Sequence, residues 1–280
     1  MFSNLLLAPI FLSCLAAFVA TTGLITVAMR SDWSRRYAHL FAVMASGLLL
    51  TMVITHLAPE ALNGHPHAPL YMLGGFFVGL LVHDVLRMVL PVSDAKTLAA
   101  GLTPLIAISI HSFLDGVIYT VTFTRGFETG LFAVLGLIIH EFPEGVIAFA
   151  LLRGAGLSNR NSFILAFIGA ALTTPVGTLA AIPVTYSMNA ETLSLMFAVS
   201  AGLLLFVSTG PLMAHMREDR PARTLPALAI GVIIAAVIAQ NHMPHIGHDD
   251  HGEETHHDDS HVGHNHDPDP QNIHRHRYDH

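Results

Sequence analysis

Two short polar segments interrupt the apolar sequence, His111-Ser-Phe-Leu-Asp-Gly116 and His140-Glu-Phe-Pro-Glu-Gly145. Residues four apart lie on the same face of an α-helix, so His111 points with Asp115 and His140 with Glu144. Imidazole and carboxylate from two facing helices form a mixed nitrogen and oxygen set, which suits Zn²⁺ and, less selectively, Fe²⁺, Mn²⁺ or Cd²⁺. The spacing therefore predicts a divalent-metal site formed by these four side chains.

The residues beside these four give weaker indications of a role at the site. Ser112 and Glu141 each follow a histidine and precede a carboxylate by three residues, so we expect both beside the site. For Ser112 a plain helix–helix hydrogen bond is the alternative. Pro143 cannot donate to the carbonyl of Ile139, which predicts a kink beside His140 and a carbonyl free to take water or to act as a transient ligand.

The composition indicates the helices that must position these groups. Hydrophobic residues make up 52% of the 280 residues and charged residues only 12%. Repeated runs of about 20 apolar residues match a hydrocarbon core of about 30 Å, and such runs must be helical in lipid. The sequence thus predicts an all-α polytopic membrane protein. A carboxylate at the centre of a span costs about 2.5–3.5 kcal/mol, which a bound cation would compensate.

We predict eight membrane spans. The first is too long for a signal-peptide core and lacks a basic region before it, so we interpret it as a retained helix. The lone cysteine, Cys14, lies inside it and cannot form a disulfide with another cysteine of the chain. The predicted spans cover about residues 4–29, 39–59, 71–90, 97–123, 131–152, 163–186, 193–213 and 225–239.

The loops between these spans differ in charge. One alternating set is basic, whereas Arg125 is the only Lys or Arg in the other set. Under the positive-inside rule the basic set is cytoplasmic, and both termini are then extracytoplasmic. The basic set consists of Arg30, Arg35, Arg36, Lys96, Arg153, Arg160, Arg217, Arg220 and Arg223.

A weak internal repeat relates the second and seventh spans. Ser46-Gly-Leu-Leu-Leu50 recurs as Ala201-Gly-Leu-Leu-Leu205, in spans that cross in opposite directions. This pattern is typical of inverted repeats in transporters, which hold their substrate near the midplane. We therefore expect spans one to three and six to eight to be related around spans four and five.

The C-terminal segment 241–280 differs from the transmembrane domain 1–240. It holds twelve of the twenty histidines together with all of the excess negative charge, and its low apolar content predicts disorder. Weak capture of metal ions is one interpretation, and a merely solubilising tail is the other. The histidines expected to capture ions are His248, His251, His256, His257, His261, His264 and His266.

The two polar segments carry a family resemblance. His-x-x-x-Asp-Gly followed by His-Glu-x-Pro-Glu-Gly, on the fourth and fifth of eight spans, resembles the ZIP family of divalent-metal transporters. The stretch from Gly47 to Glu60 also resembles the second helix of that family. The resemblance implies a transport site formed by His111, Asp115, His140 and Glu144, with Ser112 and Glu141 beside it. It also implies auxiliary roles for His56 and Glu60 near the outer end of the second span.

Two departures from the family pattern limit what the resemblance implies. Ser112 stands where members with two metals have Asn, and Thr174 stands before Pro175 where they have Glu. We therefore expect one well-formed metal site. The family's methionine ligand falls on Leu49, although Met52 lies one turn away and could replace it.

The expected function is uptake of divalent cations, Zn²⁺ foremost, by alternating access in a cell or inner membrane. No enzyme activity, cofactor or nucleic-acid partner is expected; the partners are metal ions and the bilayer, and a homodimer is compatible with the sequence. An intramembrane zinc protease is the enzymatic alternative, but it requires His-Glu-x-x-His, and here Glu144 follows Pro143. A cation exporter of another fold is a third hypothesis, and the eight spans and the proline in the fifth span argue against it. The sequence leaves open a transporter mainly for Fe²⁺, Mn²⁺ or Cd²⁺.

Overall fold

The fold was analysed in a computed structural model that describes residues 2–90, 95–124, 126–217 and 219–242. This part of the chain is helical and contains no strand. The helices are α1 (Phe2–Ala28), α2 (Ser31–Arg36), α3 (Ala38–Gly64), α4 (Ala68–Val89), α5 (Ala95–Thr124), α6 (Phe127–Gly154), α7 (Asn159–Thr185), α8 (Ala190–Arg217) and α9 (Pro221–His242).

Seven of these helices are long and apolar enough to cross a membrane, all except α2 and α6. The all-α polytopic prediction is therefore confirmed, with the spans close to their predicted bounds. Helix α6 corresponds to the fifth predicted span and is 28 residues long, which at 1.5 Å per residue exceeds the hydrocarbon core. It is not among the seven, so the count of eight stays a prediction.

Three of the long helices contain a wider π-helical turn, and each of these turns lies at or just before a proline. The turns are Val53–Leu57 in α3, Phe167–Leu172 in α7 and Ser208–Leu212 in α8, with Pro59, Pro175 and Pro211 respectively. Proline removes a hydrogen bond to the residue four before it and crowds that carbonyl. A π turn accommodates the lost hydrogen bond and the crowding, because its wider turn shifts the hydrogen-bond pattern. Helix α6, by contrast, is continuous through Pro143, so the kink predicted there stays a prediction.

The helices pack in two groups. Helices α1, α5, α6 and α7 contact one another most, chiefly through α1 with α6 and α5 with α7. Helices α3, α4, α8 and α9 form the other group, chiefly through α4 with α8 and α3 with α9. The groups meet where α5 contacts α4 and α8, and where α3 contacts α6. Both polar segments therefore lie on helices at the junction.

Large apolar side chains cover much of the outer surface, among them Phe11, Phe77 and Val237, all more than half exposed. A lipid environment accounts for them, since hydrocarbon does not penalise apolar surface as water does. The predicted tail from Asn241 lies outside the described residues, apart from the two backbone positions that end α9.

Candidate metal centre

Six polar side chains of α5 and α6 are buried in the middle of the apolar interior. None is more than 3% exposed, although five of the six carry ionisable groups. Their helices are held together by apolar residues such as Ile108 and Ile147. The six are His111, Ser112, Asp115, His140, Glu141 and Glu144.

The four predicted principal residues converge on a small volume. His140 Nε2 lies 2.9 Å from Asp115 Oδ2 and 3.7 Å from Glu144 Oε1. His111 Nε2 lies 3.6 Å from Asp115 Oδ2 and 3.5 Å from Glu144 Oε1. Each imidazole therefore directs Nε2 toward both carboxylates, as the four-residue spacing on two facing helices predicts.

The two predicted neighbours also reach this cluster. The Ser112 hydroxyl lies within donating distance of Glu144 Oε2, at 3.0 Å, and of its own helix at Ile108 O, at 2.9 Å. The Thr174 hydroxyl on α7 donates to Glu141 Oε1 at 3.2 Å. These hydroxyls hold carboxylate oxygens in fixed positions.

Two overlapping groups of three residues have ligand atoms within 4.8 Å of one another. One group is His111, His140 and Glu144, and the other is Asp115, His140 and Glu141. Because His140 belongs to both, the structure brings Glu141 into the cluster rather than leaving it at the edge. The sequence prediction of a single metal ion stays a prediction.

The donor atoms fit a divalent cation. Within the described part of the chain, Glu141 Oε2, Glu144 Oε1 and His111 Nε2 are buried and have no hydrogen-bond partner. Buried polar atoms without a partner are costly, and buried charges are normally paired or coordinate a metal. A cation between the carboxylates and imidazoles would satisfy them together.

Glycines next to the cluster allow α7 to approach α5 closely and α1 to approach α6 closely. A Cβ on Gly116 would overlap the carbonyl oxygen of Thr174, and a Cβ on Gly145 would overlap that of Ala20. Small residues permit this approach between membrane helices. The close contact of α5 with α7 also brings Thr174 within reach of Glu141.

The predicted auxiliary residues are more widely spread. His56 lies in the π turn of α3, with its ring centroid 6.4 Å from that of Phe197. Glu60 is exposed one turn further along. Met52 is buried in the apolar core, as is Leu49. The seven tail histidines lie outside the described residues.

Sequence reasoning missed two residues of the cluster's surroundings. Ser200 on α8 has its Oγ 2.9 Å from His111 Nδ1, and a lone serine in an apolar run gave little reason to expect this contact. Tyr119 lies one turn after Asp115, fully buried, and its hydroxyl has no partner among the described residues. The spacing of His111, Asp115 and Tyr119 on one helix face was a signal that could have identified it.

A match to a known protein family covers both polar segments. The family model described as ZIP zinc transporter matches residues 92–239, just over half of the chain. The match includes both polar segments and the Thr174-Pro175 pair. The chain therefore belongs to the ZIP family, whose members are transporters of divalent metal ions across membranes.

Proposed function

We propose that this protein imports divalent cations, with Zn²⁺ as its principal substrate, through the buried cluster of α5 and α6. The observation that carries the proposal is the convergence of two imidazole Nε2 atoms on the carboxylates of Asp115 and Glu144, at 2.9–3.7 Å. This combination of nitrogen and oxygen ligands suits Zn²⁺. Since no thiolate is present in the cluster, the ion can be released as well as bound.

In this proposal His111, Asp115, His140 and Glu144 are the principal ligands. Glu141 is an additional ligand or a neighbour, because it shares the second three-residue group with Asp115 and His140. Ser112 orients the Glu144 carboxylate through its hydrogen bond of 3.0 Å. Other divalent ions, including Cd²⁺, Fe²⁺ and Mn²⁺, could compete at the same ligand set.

Alternating access would expose this cluster to one side at a time. An inverted repeat would supply the two related gates, and reciprocal glycine contacts support it. Gly116 approaches Thr174 on α7 while Gly145, at the same place in the second motif, approaches Ala20 on α1. The partner helices return these contacts in the same register. Gly23, three residues after Ala20, approaches the carbonyl oxygen of Phe142. Gly177, three residues after Thr174, approaches that of Phe113.

The π turns support the same relationship between α3 and α8. When Gly47 is superposed on Gly202, as the sequence repeat suggests, Val53–Leu57 aligns with Ser208–Leu212 residue for residue. The two glycines again make matching contacts: Gly47 meets the carbonyl of Leu228 on α9, and Gly202 meets that of Met72 on α4. We propose that α1, α3 and α4 are related in this way to α7, α8 and α9.

Access and release would occur at opposite ends of the cluster. His56, in the π turn of α3, and Glu60, one turn further along, are the residues we propose for the entry side. At the basic end of the bundle, a cavity of about 530 Å³ is lined by Arg35, Lys96 and three histidines. The positive-inside rule makes that end cytoplasmic, so His39, His83 and His215 would meet the ion on its way out.

The direct test is accumulation of labelled zinc in proteoliposomes containing the purified full-length protein. Uptake above that of protein-free vesicles is expected, and it should fall to that background in the His140→Ala, Glu144→Ala double variant. Competition with cadmium, iron and manganese then ranks the substrates. Normal accumulation by the double variant would refute the site, and absence of transport of every ion by the wild type would refute the function.

A further inference from the structure

His111 is held at both edges of its ring, by different helices. Its Nε2 edge faces Asp115 and Glu144, at 3.6 and 3.5 Å. Its Nδ1 edge faces the hydroxyl of Ser200 at 2.9 Å, and Ser200 is only 2% exposed. Since Ser200 lies on α8, which packs chiefly against α4, this hydrogen bond links the two groups of helices.

We propose that Ser200 is a positioning residue of the metal centre, and that its hydroxyl fixes the ring orientation and tautomer with which His111 presents Nε2 to the ion. The inference rests on the proposed transport site. Histidines that bind metals commonly use their second ring nitrogen in such a hydrogen bond, and this bond decides which nitrogen can bind the metal.

A hydroxyl suits a ligand that must both bind and release. With an ion bound, Nε2 must be free of its proton, so Nδ1 carries the proton and donates to Ser200 Oγ. Without an ion, Nε2–H can donate toward the carboxylates while Ser200 donates to Nδ1. Serine can do both because a hydroxyl is donor and acceptor, whereas a carbonyl or carboxylate in its place could only accept.

The hydroxyl of Ser200 is not committed to its own helix. Ser194, six residues earlier on α8, donates to the carbonyl of Ala190 at 3.0 Å, a common arrangement for a helical serine. In the part of the chain that the structure describes, the one hydrogen bond of the Ser200 hydroxyl is that to His111. Ser194 is also buried, at 7% exposure, and so provides a matched control.

The test compares S200A, S200T and S194A in the full-length protein, by initial rates of labelled zinc uptake in proteoliposomes over a range of zinc concentrations. Loss of a residue that orients a metal ligand typically costs about 10- to 100-fold in metal affinity. We expect KM of S200A to rise by about this factor, with a much smaller change in the maximal rate. S200T keeps the hydroxyl and should recover most of the loss, and S194A should resemble the wild type.

Several results would overturn the proposal. An unchanged KM in S200A is one. Equal impairment of S200A and S200T, or of S200A and S194A, is another, because either result would indicate an effect of packing alone. If S200T does not insert, S200C replaces it and should lie between S200A and the wild type, because a thiol is a weak hydrogen-bonding group.

Failure of the proposed function would look different. In that case the wild type itself would accumulate no ion, and the increase in Tm caused by zinc would test Ser200 separately. A smaller increase in S200A than in the wild type and S194A would support the positioning role. Equal increases in all three proteins would refute it.

Discussion

His140 Nε2 and Asp115 Oδ2 lie 2.9 Å apart, although the two residues are on different helices and each is only 1% exposed. This is the shortest contact between an imidazole and a carboxylate in the described cluster, and it shows that α5 and α6 face each other at the depth of both polar segments. A pair of this kind partly compensates a buried charge, and it must open or rearrange when a cation binds.

Asp115→Asn tests this relationship. The amide has the size of the carboxylate but not its charge, so it should bind a cation poorly. We expect the efficiency of zinc uptake to fall by at least about tenfold, since even an outer partner of a metal ligand is worth that much. Initial uptake rates in proteoliposomes measure the effect. Asp84→Asn, at an exposed position of α4, is the control, and a wild-type KM in Asp115→Asn would contradict the ligand assignment.

Thr174→Glu tests whether a glutamate at this position would add a metal ligand that the wild-type centre lacks. Thr174 is fully buried and donates to Glu141 Oε1 at 3.2 Å, so a glutamate there would place a second carboxylate beside Glu141. Like charges in a buried site repel, and a cation relieves the repulsion. We expect a lower Tm without metal and a larger increase in Tm on adding zinc than in the wild type. Thr174→Val, which has the same shape but no hydroxyl, should show only the first effect. A zinc response unchanged in Thr174→Glu would mean that the position cannot contribute a ligand.

Gly116→Ala tests the close approach of α5 and α7. The added Cβ would overlap the carbonyl oxygen of Thr174, and backbone cannot move aside as a flexible side chain can. Overpacking of this kind costs about 1–3 kcal/mol, which thermal unfolding followed by circular dichroism would detect as a lower Tm. Gly74→Ala is the matched control, because a Cβ there meets nothing within 4 Å and alanine favours a helix by about 1 kcal/mol. Equal Tm values for the two variants would contradict the helix packing.

Asp219 gives a prediction about pH, outside the membrane spans. Its pKa lies below the usual 3.8 because its carboxylate accepts a hydrogen bond from the backbone N–H of Arg220 and contacts His39, with Arg223 nearby. A lowered pKa means that the folded protein favours the ionised carboxylate. This carboxylate therefore stabilises the fold fully above the usual pKa, and the stabilisation is lost as pH falls through the pKa that Asp219 has in the folded protein. Asp219→Asn should therefore lower the Tm near neutral pH and make no difference in strong acid. Thermal unfolding across that pH range measures the difference, and a deficit in Tm that persists in acid would contradict the prediction.

Much of the fold and of the site could be predicted from sequence. Helices in lipid must satisfy their own backbone hydrogen bonds, so apolar runs of sufficient length specify both the secondary structure and its approximate bounds. The spacing of His111 with Asp115, and of His140 with Glu144, specifies which side chains share a helix face, because helix geometry is local. Proline positions likewise mark where three of the helices widen into π turns.

Tertiary structure decided which faces meet. The sequence by itself determined the helices and the membrane class, and it predicted the four side chains that the structure brings together in the candidate site. It did not indicate that Ser200 would contact His111 or that Glu141 would join a second group with Asp115 and His140. Such contacts join residues far apart in the chain, and they depend on how closely whole helices approach. That approach depends on the packing of many small residues at once, such as Gly116 against Thr174, and local spacing carries no information about it.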